Sequence, residues 1–414
     1  MKAKFGAIVV NGSGKLGGQV FQGSSTGSVL RSKRFNVNTP VNANPYARSS
    51  FRSLVISWRF LSDSIRLIWK NAPNSNNNGF KYYISVNQFA FIHGLRPFDL
   101  PPSYVLPRKQ PNSGSYFVND FTGTITGGIT GLDTDNKGTL CASSGSTSRI
   151  QTSHNSGKSW TNSFLSASYS NAQSVVFIEN NIWLATTQSP GVILRSIDNG
   201  DSWSIVSGIS DTGMFKAPAY LGNGICIVSS GSNGKIYRSI DYGATWSLVF
   251  TPSSVTGSSN CVNMFGGNCA VGLKGTGQLA YSRDYGLTWS LGFLFTGNTT
   301  VNYLRYAGNG RLLASTDTKA KFWYSSDYGQ SFKVVLDLPT ASFGWLLTPC
   351  FNGVVLASAG APYVVYRSID YGLTWSLINP IQPGTAYRAC VWLPDGTLKL
   401  GSNANGYIVS SYPT

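Results

Sequence analysis

The chain of 414 residues is poor in the residue types that carry most enzyme chemistry. It contains 16 acidic residues, of which only Glu179 is a glutamate, and two histidines, His93 and His154. Two scattered histidines are too few for a histidine-based metal centre, so we predict no metal and no cofactor. A glycosidase needs two suitably spaced carboxylates, and Asp211 and Asp317 are the main candidates outside the repeated motif described below.

Long apolar runs and closely paired cysteines are also missing. No apolar run approaches the roughly 20 residues of a membrane helix. The first apolar stretch is too short for the core of a secretory signal, so we expect none. The six cysteines form no CxxC pair, and Cys226 and Cys269 occupy equivalent positions 43 residues apart, too distant for a disulfide. We therefore expect buried thiols in a chain made in a reducing compartment.

Positive charge is concentrated near the N terminus. Residues 1–109 carry 15 Lys and Arg against two acids, whereas the rest of the chain carries 17 against 14. This asymmetry predicts that the region meets an acidic partner, either nucleic acid or an acidic protein surface. The alternative is a solvated basic face that only aids solubility.

The most informative feature is an eight-residue phrase, Ser-x-Asp-x-Gly-x-Thr-Trp, whose best copy spans 368–375. Its central glycine recurs every 43 residues without a gap, at Gly157, Gly200, Gly243, Gly286, Gly329 and Gly372. A period of this size is the signature of a repeat architecture.

The phrase resembles the Asp-box of the bacterial neuraminidase repeat. In such a turn, aspartate and serine side chains hydrogen-bond the backbone, glycine supplies a positive φ, and the tryptophan packs under the hairpin. We therefore interpret the box residues as structural rather than catalytic. They are Asp198, Gly200, Trp203, Asp241, Gly243, Trp246, Asp284, Gly286, Trp289, Asp327, Gly329, Phe332, Asp370, Gly372 and Trp375.

Each repeat contains four short strand-like segments, which is typical of a β-propeller blade. A worn copy of the box lies at 112–117, and residues 114–414 span seven repeats of 43. We predict an all-β seven-bladed propeller of four-stranded blades over residues 112–414. Its last blade takes the outer strand from Phe117 onward and three inner strands from the C terminus, which closes the ring and hides the edges.

Residues 1–99 are predicted to form a small basic α+β domain, and 100–111 a proline-rich linker. The opening GKLGGQVF at 14–21, the NTPVN turn at 38–42 and the WRFL segment at 58–61 resemble a virion structural protein family of Bacteroidetes phages. This resemblance implies anchoring to a phage particle. The residues we assign to anchoring are Lys15, Arg31, Lys33, Arg34, Arg52, Trp58, Arg59 and Trp69.

Together these features predict a non-enzymatic phage virion protein, made in the bacterial host cytoplasm and present as a homo-oligomer or in multiple copies. The N-terminal domain would contact other virion proteins, and the propeller would bind a host-surface glycan or protein or decorate the particle. Large and basic residues in polar loops opposite the boxes are the predicted ligand contacts: Phe215, Lys274, Tyr303, Lys319, Trp345 and Tyr387. Alternatively, these aromatic residues pack between blades.

Two other functions remain open. A sialidase-like glycoside hydrolase shares the box, but needs an arginine triad, an acid and a tyrosine activated by a glutamate, and usually has six blades. Glu179 is the sole glutamate available. A nucleic-acid-associated assembly factor would use the basic arm on phosphates. Few aromatic residues interleave with that arm, which argues against single-strand recognition.

Overall fold

The computed structural model describes most of the C-terminal three quarters of the chain and parts of the N-terminal quarter. The described residues are 19–24, 27–32, 118–121, 128–145, 148–308, 310–316, 320–339, 341, 343–346, 353–360, 363–378, 387–393, 397–403 and 406–411, with the single residues Arg66, Lys70, Asn71, Phe80 and Tyr83. The chain forms two compact units, Met1–Phe91 with Arg96–Pro101, and Ile92–Leu95 with Pro102–Thr414.

The first unit contains a β-hairpin, because β1 (Gln19–Ser24) pairs antiparallel with β2 (Gly27–Ser32). The five single residues are helical, and Tyr83 is buried. No helix in the described residues is long and apolar enough to cross a membrane. Of the predicted anchoring residues, Arg31 lies in β2, and the others lie outside the described residues: Lys15, Lys33, Arg34, Arg52, Trp58, Arg59 and Trp69.

The second unit contains β3 (Val118–Phe121) and forms a seven-bladed propeller. Blades 1 to 3 comprise β4 (Ile129–Thr134), β5 (Leu140–Ser144), β6 (Ser148–Ser153) and β7 (Thr161–Ser166); β8 (Asn171–Phe177), β9 (Trp183–Gln188), β10 (Ile193–Ser196) and β11 (Ser204–Ile205); β12 (Ala219–Gly222), β13 (Ile225–Ser229), β14 (Ile236–Ser239) and β15 (Ser247–Phe250).

Blades 4 to 6 repeat the same antiparallel order. They comprise β16 (Gly257–Asn263), β17 (Cys269–Lys274), β18 (Gln278–Ser282) and β19 (Ser290–Leu294); β20 (Val301–Gly308), β21 (Arg311–Thr316), β22 (Lys321–Ser325) and β23 (Lys333–Asp337); β24 (Phe343–Leu346), β25 (Val355–Gly360), β26 (Val364–Ser368) and β27 (Ser376–Ile378).

Blade 7 combines the two ends of the propeller sequence. Strands β28 (Tyr387–Trp392), β29 (Leu398–Ser402) and β30 (Ile408–Ser411) are followed in the sheet by β3. Val118 pairs with Ser410 and Asn119 with Val409 in an antiparallel ladder. The predicted fold class, the number of blades and the shared closing blade are therefore confirmed.

The box at 368–375 shows how each turn is held. Ser368 Oγ donates to Asp370 Oδ1 (2.7 Å) and accepts from the amide of Gly372 (2.8 Å). The Asp370 carboxylate accepts from the amide and the hydroxyl of Thr374 (2.8 and 2.6 Å), and Trp375 Nε1 donates to the Gly372 carbonyl (3.0 Å). Burial alone would raise the pKa of Asp370, but these hydrogen bonds lower it. The aspartate carboxylates of these turns are thus occupied by hydrogen bonds within the turn.

The box turns also pack closely against the preceding blade. Gly243 has a φ of 79°, and a Cβ added there would lie 2.6 Å from Leu184 Cδ2 in the preceding blade. The equivalent glycines Gly286 and Gly372 approach Ile227 and Leu313 in the same way. Glycine is therefore required both by the backbone conformation and by the contact between blades.

A pair of alanine substitutions separates these two requirements. Gly208 has nearly the same φ, 77°, but no atom lies within 4 Å of an added Cβ. We expect Gly208→Ala to lower the free energy of unfolding by about 1 kcal/mol through backbone strain, and Gly243→Ala by about 3 kcal/mol because overpacking adds to it. Denaturant titration of both variants measures the difference. Equal losses would show that the contact with Leu184 is loose.

Candidate ligand-binding site

The first strand of each blade is the innermost one. First strands of neighbouring blades contact one another, for example β28 with β4 and β4 with β8. Several carry a β-bulge at the same point, with register shifts at Ile129/Gly131 in blade 1, Ala172/Ser174 in blade 2 and Tyr387/Ala389 in blade 7. Bulges re-aim a side chain out of the ladder. Equivalent residues of the inner strands therefore recur at one position around the propeller axis.

The residues at this position are 43 apart, and we call them the inner ring. They are Thr130, Gln173, Lys216, Ser259, Asn302, Trp345 and Arg388. Two blades differ in backbone geometry: Trp345 in blade 6 pairs in regular register with Ser358, and Lys216 in blade 3 precedes β12. The inner ring thus contributes one side chain from every blade, and two of the seven are cationic.

The cationic side chains of the ring point to the face opposite the boxes. A Cβ added to Gly231, in the β13–β14 loop, would lie 2.8 Å from Lys216 Cε, so this side chain runs beside that loop. Arg388 Nη1 donates to Asn403 Oδ1 (3.2 Å) just after β29. Lys274 ends β17 at the same side of its blade. Three cations therefore gather where second and third strands connect.

The electrostatics of this cluster are unusual for a structural lysine. Burial, together with the positive charges of Lys274 and Arg388, lowers the pKa of Lys216 to about 7. Within the described part of the chain, no carboxylate forms an ion pair with Lys216. A partly buried ammonium with cationic neighbours is destabilised until an anion arrives. Such perturbed groups mark candidate functional sites.

An aromatic surface lies beside the cations. The guanidinium carbon of Arg388 lies 4.9 Å from the centroid of the Trp345 ring, a cation–π arrangement. Trp345 is half-buried, so its ring belongs to the cluster without being enclosed by the core. The site therefore combines positive charge with a flat apolar surface.

The six predicted ligand residues have different surroundings. Lys274 and Trp345 lie in the cationic cluster. Tyr303 is half-buried and packs against the core of blades 5 and 6. Lys319 lies outside the described residues.

Two of the predicted contacts require correction. Phe215 is 0% exposed and packs edge-on to Tyr237, with ring centroids 5.9 Å apart. Tyr387 is 1% exposed. Both precede an inner-ring residue and turn into the core between blades, so neither ring offers a surface to a ligand. For these two residues, the alternative of packing between blades holds.

Sequence reasoning missed Lys216 and Arg388. The sequence does contain a signal, because both lie at multiples of 43 residues from Trp345, one of the predicted ligand contacts. The ring becomes visible only when that spacing is applied to positions outside the boxes.

The carboxylates considered for hydrolysis are engaged elsewhere. Asp211 accepts hydrogen bonds from Ser230 Oγ (2.6 Å) and Ser232 Oγ (2.7 Å). Burial, then the neighbouring charge of Glu179, raises the pKa of Tyr220 above its usual value. A phenol held protonated is the opposite of an activated nucleophile. Asp317 lies outside the described residues.

Glu179 lies between β8 and β9, on the same face as the boxes and away from the cations. No group of three or more histidine, cysteine or acidic side chains suited to a metal ion occurs among the residues described.

No protein-family model and no curated protein sequence matches the chain. Solved structures resemble it in fold. YCF48 bound to D1 peptide is 18% identical, with a TM-score of 0.54 over 70% of this chain and 94% of that one. A GH74 xyloglucanase from Xanthomonas campestris is 14% identical, with a TM-score of 0.54 over 70% of this chain and 52% of that one. A streptogramin B lyase is 12% identical, with a TM-score of 0.58 over 71% and 96%.

At these identities the likeness shows the β-propeller fold alone. The neighbours include a peptide complex and two enzymes by name, so the fold does not decide between binding and catalysis. That decision depends on the side chains of the site.

Proposed function

We propose that the chain is a non-catalytic phage virion protein whose propeller binds a glycan or protein of the host surface through the face opposite the boxes. The observation that carries the proposal is the cluster of Lys216, Lys274, Trp345 and Arg388 on that face. Clustered charge beside an aromatic ring supports recognition of a ligand. The basic N-terminal region is proposed to anchor the protein to the particle, in multiple copies.

The placement of acidic groups favours binding over hydrolysis. Asp211 is hydrogen-bonded to two serines, and Glu179 lies on the other face from the cations. Glycosidases need two carboxylates that flank one bond. The described residues around the cationic cluster offer no such pair. The similarity to a xyloglucanase keeps a glycoside hydrolase as the competing candidate.

Particle binding tests the proposed role directly. Antibodies against the propeller are expected to label intact particles and to block their adsorption to host cells. Full-length protein is expected to co-sediment with particles that lack it, whereas residues 112–414 alone are not. Equal attachment of the isolated propeller would refute anchoring by residues 1–99. Absence of label on purified particles would refute the virion role itself.

Turnover assays test the competing function. We expect no release of reducing sugar from a glycan panel that includes xyloglucan and sialosides, with the wild type or with Glu179→Gln. Turnover that Glu179→Gln abolishes would establish a hydrolase instead. A basic arm that binds DNA with a steep salt dependence would favour the assembly factor.

A further inference from the structure

Three amide side chains meet in blade 2, on the face opposite the boxes. Asn171 begins β8 and pairs with Gln188, which ends β9. The register shift between Ala172 and Ser174 sets Gln173 outside that ladder. Gln188 Oε1 accepts hydrogen bonds from Asn171 Nδ2 (3.0 Å) and Gln173 Nε2 (2.6 Å). One oxygen thus holds two neighbouring amides in place, and we call the three residues the amide triad.

The triad keeps one donor and one acceptor for a ligand. Because Oε1 of Gln188 accepts both hydrogen bonds, Nε2 of the same side chain remains as a donor, and Oε1 of Gln173 remains as an acceptor. Neither atom has a hydrogen-bond partner among the described residues, and neither is enclosed, since both side chains are only half-buried. The two atoms belong to amides that are hydrogen-bonded to each other, so they lie side by side.

The chain just before the triad adds an aromatic ring. Ser170 Oγ donates to the Gln188 carbonyl (3.0 Å), which holds this stretch against the end of β9. The preceding residue, Tyr169, is half-buried and packs against the core between blades 1 and 2. An aromatic ring with an accessible part offers an apolar surface next to polar groups. The triad therefore lies beside a surface suited to the C–H face of a sugar ring.

The triad is the blade 2 version of a pair of positions that recurs around the propeller. Multiples of 43 residues relate Gln173 and Gln188 to Arg388 and Asn403 of blade 7, whose Nη1 and Oδ1 are also hydrogen-bonded (3.2 Å). Blade 2 is the one repeat whose sequence has an amide at both positions. The same two positions thus carry uncharged polar groups in blade 2 and a cation in blade 7.

The remaining donor and acceptor fit a saccharide better than a peptide. The peptide group is planar and trans, so its N–H and C=O point to opposite edges, and one group cannot meet both atoms of the triad at once. A hydroxyl group both donates and accepts. Two hydroxyl groups on adjacent carbons of a sugar therefore satisfy the donor and the acceptor together.

We propose that the amide triad binds two vicinal hydroxyl groups of a neutral hexopyranose, with Gln188 Nε2 donating to one hydroxyl and Gln173 Oε1 accepting from the other. The Tyr169 ring lies against a C–H face of the sugar. This inference rests on the proposed function and names its ligand class. Amides carry no charge, so the affinity is expected to change little with salt concentration.

Calorimetry of the full-length protein with three neutral tetrasaccharides, built of glucose, galactose or mannose, tests the inference at low and at high salt. Gln188→Glu keeps an oxygen for Asn171 and Gln173 but replaces the remaining donor by a second oxygen. It is expected to weaken binding by about 10-fold or more. Gln173→Met removes the acceptor, with a similar loss, and decides the question if Gln188→Glu does not fold. Gln330→Glu makes the same change at an exposed position of the box face and should bind like the wild type.

The outcomes separate this inference from the proposed function. Binding of none of the three tetrasaccharides, equal affinities of both triad variants and the wild type, or tighter binding of an acetylated tetra-alanine peptide would overturn the saccharide site. A steep fall of affinity with salt would also overturn it, because charged groups would then carry the binding. Attachment of the wild type to host cells would in each case leave the proposed function standing. Absence of cell attachment, with saccharide binding intact, would overturn the host-surface role alone. Melting curves that match the wild type show that a loss of binding is local.

Discussion

Deletion of residues 1–121 is expected to lower the melting temperature of the propeller by at least about 10 °C, or to leave it aggregated. This deletion removes β3, the outer strand of the closing blade. Its partner β30 is buried along its whole length, from Ile408 to Ser411. Without β3, the ladder of blade 7 ends at β30, whose backbone groups lose their partners and become a free edge.

Deletion of residues 1–111 is the matched control, since it leaves β3 in place. We expect its melting temperature to stay within about 2 °C of the full chain, by calorimetry, and its elution volume to be that of a monodisperse species. If the two deletion variants have the same melting temperature, pairing of Val118 and Asn119 with β30 contributes nothing to stability. That result would contradict closure of the ring as a stabilising feature.

The free energy of unfolding is expected to rise with pH between pH 7 and pH 8.5, and Lys216→Met to abolish that rise. The folded-state pKa of Lys216, about 7, lies below the ordinary lysine value of 10.5, so in this window the unfolded chain binds the proton and the folded chain does not. Stability therefore increases with pH, by at most about 1.4 kcal/mol per unit. Below pH 7 Lys216 is protonated in both states, so its destabilising effect is fully present and no longer changes with pH.

Above this pH range, buried cysteine thiols are expected to reverse the rise in stability. Burial raises the pKa of the Cys261 thiol to about 12 and that of Cys141 well above its usual range. Unfolded thiols ionise above pH 9, so these groups lower stability as pH rises further. Urea titrations at pH 6, 7 and 8.5, with Lys158→Met as control, measure the effect. A flat profile for the wild type would show that Lys216 is not desolvated.

The same comparison links stability to binding. At pH 6, Lys216→Met removes a partly buried charge repelled by its neighbours, so this variant is expected to be more stable than the wild type although it binds less ligand. Such opposition of stability and activity is common at functional sites. If Lys216 had a purely structural role, Lys216→Met would instead be less stable than the wild type at pH 6.

Much of the fold could be predicted because the boxes report directly on local hydrogen bonds. Ser368, Asp370 and Gly372 fix one turn, and the 43-residue step between turns fixes the number of blades. Closure by the strand after Phe117 followed from the worn copy at 112–117. These features depend on residues close in sequence, which a single sequence can display.

The candidate site was only partly predictable because the position of Arg388 depends on a β-bulge. Tyr387 and Arg388 are adjacent at the register shift of β28, yet the first is buried and the second reaches Asn403 on the face opposite the boxes. A register shift of one residue changes which side chain leaves the ladder, and polarity alone does not reveal it. The anchoring residues of the N-terminal region, such as Lys15 and Trp58, remain predictions.

The inner ring also separates the chemistry of one face from the residues that hold the fold. Each blade contributes one side chain at the same backbone position, and the hydrogen bonds of the boxes lie on the other face. A single codon change at Asn302, for example, would alter the chemistry of that face while leaving the turns that hold the ring intact. Under the proposed function, ligand specificity would therefore change one blade at a time, without passing through unfolded variants.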